Sequence, residues 1–288
     1  MAFTLIRGRY VVVGKSPDGD SIRFVPDNPG LLMLLRGPKP NLKPGDSVQL
    51  RLEAIDALET HYDQGLLKHQ PLEIAEAARE ALLTEVGITN VVWNEQRTRV
   101  ESANDQTPGY ILSRTFEQNR RPVSFAYAGA PGETERDGDD IFLDGTRLKK
   151  SVNYHLIAKG LAYPTYYTGL FASLRAEFDA ATSAARAANV ANSVWAKDAT
   201  RSGVQLPPLQ NLTETDAVLP KLFRRLSQYF REQTTLGDFV AFLKRDPDPC
   251  ILIDGADPSD LHAFITVAGD RVSMTVDPER LMFLEKMP

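Results

Sequence analysis

The sequence predicts an α+β fold: a β-rich first third, helices after it, and a smaller α+β unit appended at the C-terminus. Three observations predict it. Short β-type runs separated by turn residues fill the chain up to Ile55. From Leu72 onward the apolar spacing switches to the helical period. At Ser202 the texture changes, and Ser202-Gly203-Val204-Gln205-Leu206-Pro207-Pro208 reads as a linker. The expected units are therefore residues 1–201 and 202–288.

Each element has its own signal. Residues 9–15 and 21–25 are strand-like, and Pro17-Asp18-Gly19-Asp20 between them carries the Asp-Gly hairpin signature. The segment from Gly37 to Asp46 is dense in turn residues. Val48 to Ile55 alternates apolar and polar, as a strand with one buried face does. Leu72, Ala75, Ala78, Leu82 and Val86 share one helical face, and Pro71 suits the helix start. Val91-Val92-Trp93 is a strand, residues 94–118 read as a polar insertion, and Pro122–Tyr127 is again a strand. Ala128 to Asp140 is a loop. Leu148, Val152 and Leu156 step by four into a helix ending near Gly160, and Leu174, Phe178, Ala181 and Ala185 mark a longer one.

In the tail, amphipathic helices are expected around 216–231 and 235–245. Cys250–Ile253 follows, then a hairpin of Phe264–Val267 with Val272–Val276 turning at Gly269-Asp270, then a strand at Leu281–Leu284. The apolar faces Leu222, Leu226, Phe230 and Leu236, Phe239, Leu243 suit packing on the first unit, with a homodimer through this region as the alternative.

Composition sets bounds. The 288 residues are 42% hydrophobic and 25% charged, an ordinary globular balance. A single cysteine, Cys250, excludes an intramolecular disulfide. No apolar run is long enough to cross a bilayer, and the N-terminal segment lacks signal-peptide features, so a cytoplasmic protein with no membrane partner is expected. The net charge of −5 argues against tight non-specific duplex binding, though a local basic cleft on an acidic body remains compatible. His61, His69, His155 and His262 show no metal spacing. Asp254, Asp257 and Asp260 read as a solvated acidic turn.

Five charged residues stand out when taken together. Asp20 ends the Asp-Gly-Asp turn, Arg51 lies on the alternating strand, Asp56 and Glu59 follow that strand, and Arg121 opens the later one. Carboxylates at separate strand ends can converge on a hard cation, which takes oxygen ligands. A guanidinium fork matches phosphate oxygens, and a further carboxylate can orient or deprotonate water. Taken singly, each is an ordinary turn or strand residue.

The order Asp18-Gly19-Asp20-Ser21-Ile22-Arg23-Phe24, then Val48-Gln-Leu-Arg-Leu-Glu-Ala-Ile-Asp-Ala-Leu-Glu-Thr, resembles the staphylococcal nuclease family. So do Asn119-Arg120-Arg121-Pro122-Val123-Ser124-Phe125-Ala126-Tyr127, Leu143-Asp144-Gly145, Ala158-Lys159-Gly160-Leu161-Ala162-Tyr163 and Asn192-Ser193-Val194-Trp195. The stretches run in the family's order over about residues 8–198. The resemblance implies a five-stranded OB-fold β-barrel with three helices. It implies a calcium ion held by Asp20, Asp56 and the Ala57 carbonyl, water activation by Glu59, and phosphate binding by Arg51 and Arg121. The chain departs from the family in three places: Ala57-Leu58 stands where Thr-Pro is usual, Arg120 replaces a glycine, and Asn119 replaces a stacking aromatic. Tyr163 and Tyr166, with Tyr167 nearby, are expected to supply a stacking surface instead.

Two functions are therefore expected to compete. One is a calcium-dependent nuclease on single-stranded or frayed DNA or RNA. The other is a catalytically weak or inactive module that uses the barrel to bind nucleic acid or a protein.

Overall fold

The computed structural model describes residues 2–255 and 258–285. Five strands close into a barrel: β1 (Phe3–Val11), β2 (Ser21–Pro26), β3 (Val48–Leu52), and, further along, Thr107–Phe116 and Pro122–Ala128. Between β3 and those two come β4 (Ile55–Ala57), α1 (Leu72–Glu85), β5 (Thr89–Trp93) and β6 (Val100–Asn104), which makes the remaining barrel strands β7 and β8. The barrel order is β1-β2-β3-β8-β7 and back to β1. All contacts are antiparallel except β3 with β8, which is parallel. Closure leaves no open sheet edge.

Over Val48–Leu52 the alternation does what the pattern predicts, with Val48, Leu50 and Leu52 pointing into the core and Gln49 and Arg51 away. The strand expected to reach Ile55 breaks at Glu53-Ala54, where Ala54 has φ of 70° and Glu53, Ala54 and Ile55 are all buried. β1 differs from expectation. It begins at Phe3 and stops at Val11, because the Val12 and Val13 amides both donate to the Asp105 carboxylate, at 2.9 and 3.0 Å, instead of to a strand. The expected insertion at 94–118 is also corrected. It contains β7, the barrel strand between β1 and β8, whose short apolar core Tyr110-Ile111-Leu112 is flanked by Pro108, Gly109 and polar residues that mask its period.

After the barrel come β9 (Asp140–Ile141), α2 (Gly145–Leu148), α3 (Val152–Ala158), β10 (Ala162–Pro164), β11 (Tyr166–Tyr167) and α4 (Ala172–Ala188). The one helix expected near 148–156 is split at Ser151. That side chain accepts from the Tyr154 amide at 3.1 Å and so caps a new helix. β10 pairs with β4, setting Tyr163 opposite Asp56. Trp195 packs edge-to-face on Tyr163, 5.2 Å between centroids, and holds the chain after α4 against this layer.

The tail contributes β12 (Val204–Gln205), α5 (Pro220–Tyr229), α6 (Phe239–Arg245), β13 (Pro249–Leu252), β14 (Pro258–Asp260), β15 (Ile265–Ala268), β16 (Arg271–Met274) and β17 (Leu281–Phe283). The β15–β16 hairpin turns at Gly269-Asp270 as expected. The expected linker is no free spacer: Val204 and Leu206 are buried, and β12 pairs with β16. β17 adds to β11 in parallel, so tail and first unit share a sheet. One apolar cluster joins Leu58, Ile74, Val194 and Trp195 to Leu222, Phe223, Leu226 and Phe283. Leu222, Leu226, Phe230, Leu236, Phe239 and Leu243 are all buried within the chain, which leaves none of the two expected apolar faces for a second copy. No helix among the described residues is long and apolar enough to cross a membrane.

Candidate active site

A cleft of about 1100 Å³ lies between the barrel and α5. Asp20, Arg51, Asp56, Glu59 and Arg121 all line it, and so do Tyr167 from β11 and Lys221, Arg224 and Arg225 from the tail. Strand register explains the convergence. Arg51 on β3 lies opposite Ser21 on one side and Val123 on the other, which puts it beside Asp20 and two positions from Arg121.

Asp20 is held by a tight turn bridging Asp18 and Ser21, and its carbonyl accepts from the Leu52 amide at 3.0 Å. Gly19 is required there by space. A Cβ at this position would lie 2.6 Å from the Ala57 Cβ and 2.9 Å from the Ala78 Cβ. The same close approach accounts for alanine at 57, where a larger side chain would press on the turn. Leu58 is buried in the second apolar cluster, so the altered Ala57-Leu58 pair is well packed.

Asp56 sits in β4 with only 4% of its side chain exposed. Glu59 is fixed through its backbone: its amide donates to the Gln70 side chain at 3.3 Å, its carbonyl accepts from the Gln70 amide at 3.0 Å, and Gln70 Nε2 donates to the Val218 carbonyl at 2.8 Å. Gln70 is completely buried, so it ties the Glu59 loop to the start of the tail helix.

Arg121 lines the cleft with Nε 3.3 Å from Glu117 Oε1, while Arg120 is exposed. Arg120 has φ of 59°, a left-handed conformation in which glycine is at ease. The Arg51 guanidinium lies 4.6 Å over the Tyr167 ring. Tyr163 and Tyr166, expected at the substrate, are corrected by the structure. Both are fully buried, with hydroxyls donating to Asp198 at 2.8 Å and Asp179 at 2.6 Å. A ring enclosed on both faces has no surface for a base. The half-buried Tyr167 faces the cleft in their place.

The cleft is rich in carboxylates that repel one another. Burial, then Asp56 and Glu59, push Asp20 up to about 7, while Arg51 and Arg121 pull it down. Burial and the Asp20 charge likewise push Asp18 up to about 7, against hydrogen bonds from the Gly19 amide at 2.8 Å and Thr60 Oγ1 at 3.0 Å. Glu59 is pushed up to about 7, mainly by burial. Among the described residues no side-chain hydrogen bond reaches the Asp20 carboxylate, and no group of three or more His, Cys, Asp or Glu side chains is arranged as a metal-ligand set.

The residue that sequence reasoning missed is Arg224. Its guanidinium donates to both Asp56 oxygens, at 3.1 and 2.8 Å, and to Glu59 Oε1 at 2.5 Å. The available signal was the polar face of α5, where Lys221, Arg224, Arg225 and Gln228 recur at helical spacing opposite Leu222, Phe223 and Leu226. Asp254 is paired with Arg280, Asp260 caps the turn of His262 at 3.2 Å, and Asp257 lies outside the described residues.

The sequence matches no protein-family model, and a search of curated proteins finds no match.

Proposed function

We propose that the chain is a calcium-dependent nuclease that hydrolyses phosphodiester bonds of single-stranded or frayed DNA or RNA in this cleft. The observation that carries the reading is that Asp20, Arg51, Asp56, Glu59 and Arg121 line one cleft, where strand register sets Arg51 beside Asp20 and two positions from Arg121. Four residues, Asp56 and Glu59 from one segment and Arg51 and Arg121 from two others, gather around the Asp20 carboxylate, and the family resemblance is what singled them out. The barrel order, first strand to second to third to fifth to fourth, supports the OB-fold assignment.

Oxygen donors from Asp20, Asp56 and the Ala57 carbonyl are the kind a hard cation takes. Asp20, pushed up by burial first and then by Asp56 and Glu59, has no side-chain hydrogen-bond partner among the described residues, and that too fits a divalent ion. When bound there, calcium would polarise a phosphoryl oxygen and neutralise charge. Glu59, with its proton affinity raised toward neutrality, is matched to accept a proton from an attacking water at physiological pH. Arg51 and Arg121 would hold the non-bridging phosphate oxygens and stabilise the added negative charge of the transition state. The cation–π contact with Tyr167, 4.6 Å from the Arg51 guanidinium, helps hold Arg51 for this.

Digestion of single-stranded DNA and of RNA with calcium, with EDTA, and with Glu59→Ala tests the reading. Cleavage is expected only for the wild type with calcium, and equal activity in all three would overturn it. The second reading, a binding module without turnover, is favoured by the engagement of Asp56 and Glu59 by Arg224. Oligonucleotide binding with no cleavage under any metal condition would be its signature.

A further inference from the structure

The cation already touching Asp56 and Glu59 belongs to the chain itself. We infer that Arg224 is a tethered competitor for the divalent ion, so that calcium loads the cleft only when the Arg224 guanidinium leaves Asp56. The inference rests on the reading of Asp20 and Asp56 as cation ligands, and it makes α5 a gate on that site.

Three observations carry it. The first is geometric. Arg224 engages both Asp56 oxygens and one Glu59 oxygen, in the two-pronged manner that suits a guanidinium fork. Calcium ligated by the same carboxylate would sit about 2.3–2.6 Å from its oxygens. The two positive charges would then stand a few ångström apart in a part-buried cleft, where repulsion is less screened than at the open surface.

The second is that the other cations on this helix face have partners of their own. Arg225 Nε donates to Asp248 at 2.7 Å and its Nη1 to Asp246 at 2.6 Å, and Lys221 Nζ lies 3.2 Å from Asp248. The acceptors that Arg224 has among the described residues are Asp56 and Glu59.

The third is that α5 is docked too firmly for this to be a wandering surface arginine. Ser227 Oγ accepts from the Leu67 amide at 2.8 Å and donates to the Leu67 carbonyl at 2.9 Å. Gln228 Nε2 donates to the Tyr62 hydroxyl at 2.6 Å. Gly65 comes so close that a Cβ there would lie 2.0 Å from Ser227 Oγ. The helix backbone is fixed, so release of Asp56 is a rotation of the Arg224 side chain within the cleft, not an undocking of the tail.

Calorimetric titration of calcium chloride into metal-free full-length protein, without substrate, tests the gate. Arg224→Gln is expected to bind calcium at least about tenfold more tightly than the wild type, because the competent state is no longer a minor population. Calcium is also expected to raise its melting temperature further than that of the wild type. Arg224→Lys keeps a positive charge without the fork, and its affinity is expected to fall between the two, which covers the case in which the glutamine variant does not fold. Equal affinity in all three proteins would overturn the inference while leaving Asp20 and Asp56 standing as ligands. Absence of binding in all three would overturn both. Loss of the heat on adding Asp20→Asn to the tight-binding variant assigns the binding to this site.

Discussion

Ser227 of α5 and Leu67 of the loop after Glu59 exchange two hydrogen bonds, at 2.8 and 2.9 Å, although 160 positions separate them. The tail thus completes the wall of the cleft and also supplies most of the apolar cluster in which Leu58, Ile74 and Val194 rest on Leu222, Phe223 and Leu226. Removing residues 202–288 should therefore strip the cover from a core. The fragment 1–201 is expected to be insoluble or to bind hydrophobic dyes strongly, and not to behave as a free-standing barrel. Dye fluorescence and soluble yield, compared with the whole chain, measure this.

Gly19 should tolerate no side chain. The nearest contacts of an added Cβ are 2.6 Å to Ala57 and 2.9 Å to Ala78, both short side chains with little freedom to yield. Gly19→Ala is expected to cost about 1–3 kcal/mol in urea unfolding, through overpacking. Adding Ala78→Gly should recover part of the loss by reopening space on the α1 side, less the roughly 1 kcal/mol that glycine costs within a helix.

The metal-free protein should lose stability as pH rises. Asp18, Asp20 and Glu59 are each pushed up to about 7, whereas in the unfolded chain such groups release their protons near pH 4. Between these values the folded state holds more protons than the unfolded one, so stability falls from about pH 4 to about pH 7 and then levels off. In EDTA, the urea midpoint is expected to drop across that window. Asp18→Asn keeps an oxygen to accept from Gly19 and Thr60 but removes one of the repelling charges. It should raise stability at pH 8 by about 1 kcal/mol, discounted for partial exposure, and leave it unchanged at pH 4.

Arg51 and Arg121 should differ in what can replace them. Under the proposed nuclease reading, each alanine variant is expected to lower kcat by about 10²–10³-fold, the usual loss for a preorganised charge at the transition state. Arg51→Lys should recover little, because a compact ammonium cannot fork onto phosphate as the Arg51 guanidinium, 4.6 Å over the Tyr167 ring, can. Steady-state kinetics on a defined oligonucleotide, with calcium saturating, separates kcat from KM for each.

Much of the local structure was legible in the sequence. Alternation from Val48 onward gave the inner and outer faces of β3, Gly269-Asp270 gave a hairpin with the right turn, and the Leu72–Val86 face gave α1. The five charged residues, which line one cleft, were grouped through the family resemblance, because spacing alone left each an ordinary turn or strand residue. Such features depend on neighbours a few positions away, and periodicity reports which face is buried. It does not report what buries it. That is why β7 was hidden behind Pro108 and Gly109, and why Tyr163 and Tyr166 could not be distinguished from Tyr167 until packing turned two rings inward and one toward the cleft. Arg224 is the sharpest case. Its helical face was visible, but its place on Asp56, 168 positions away, was decided only when the apolar side of α5 docked against the loop after Glu59 and left the guanidinium one direction in which to find a charge.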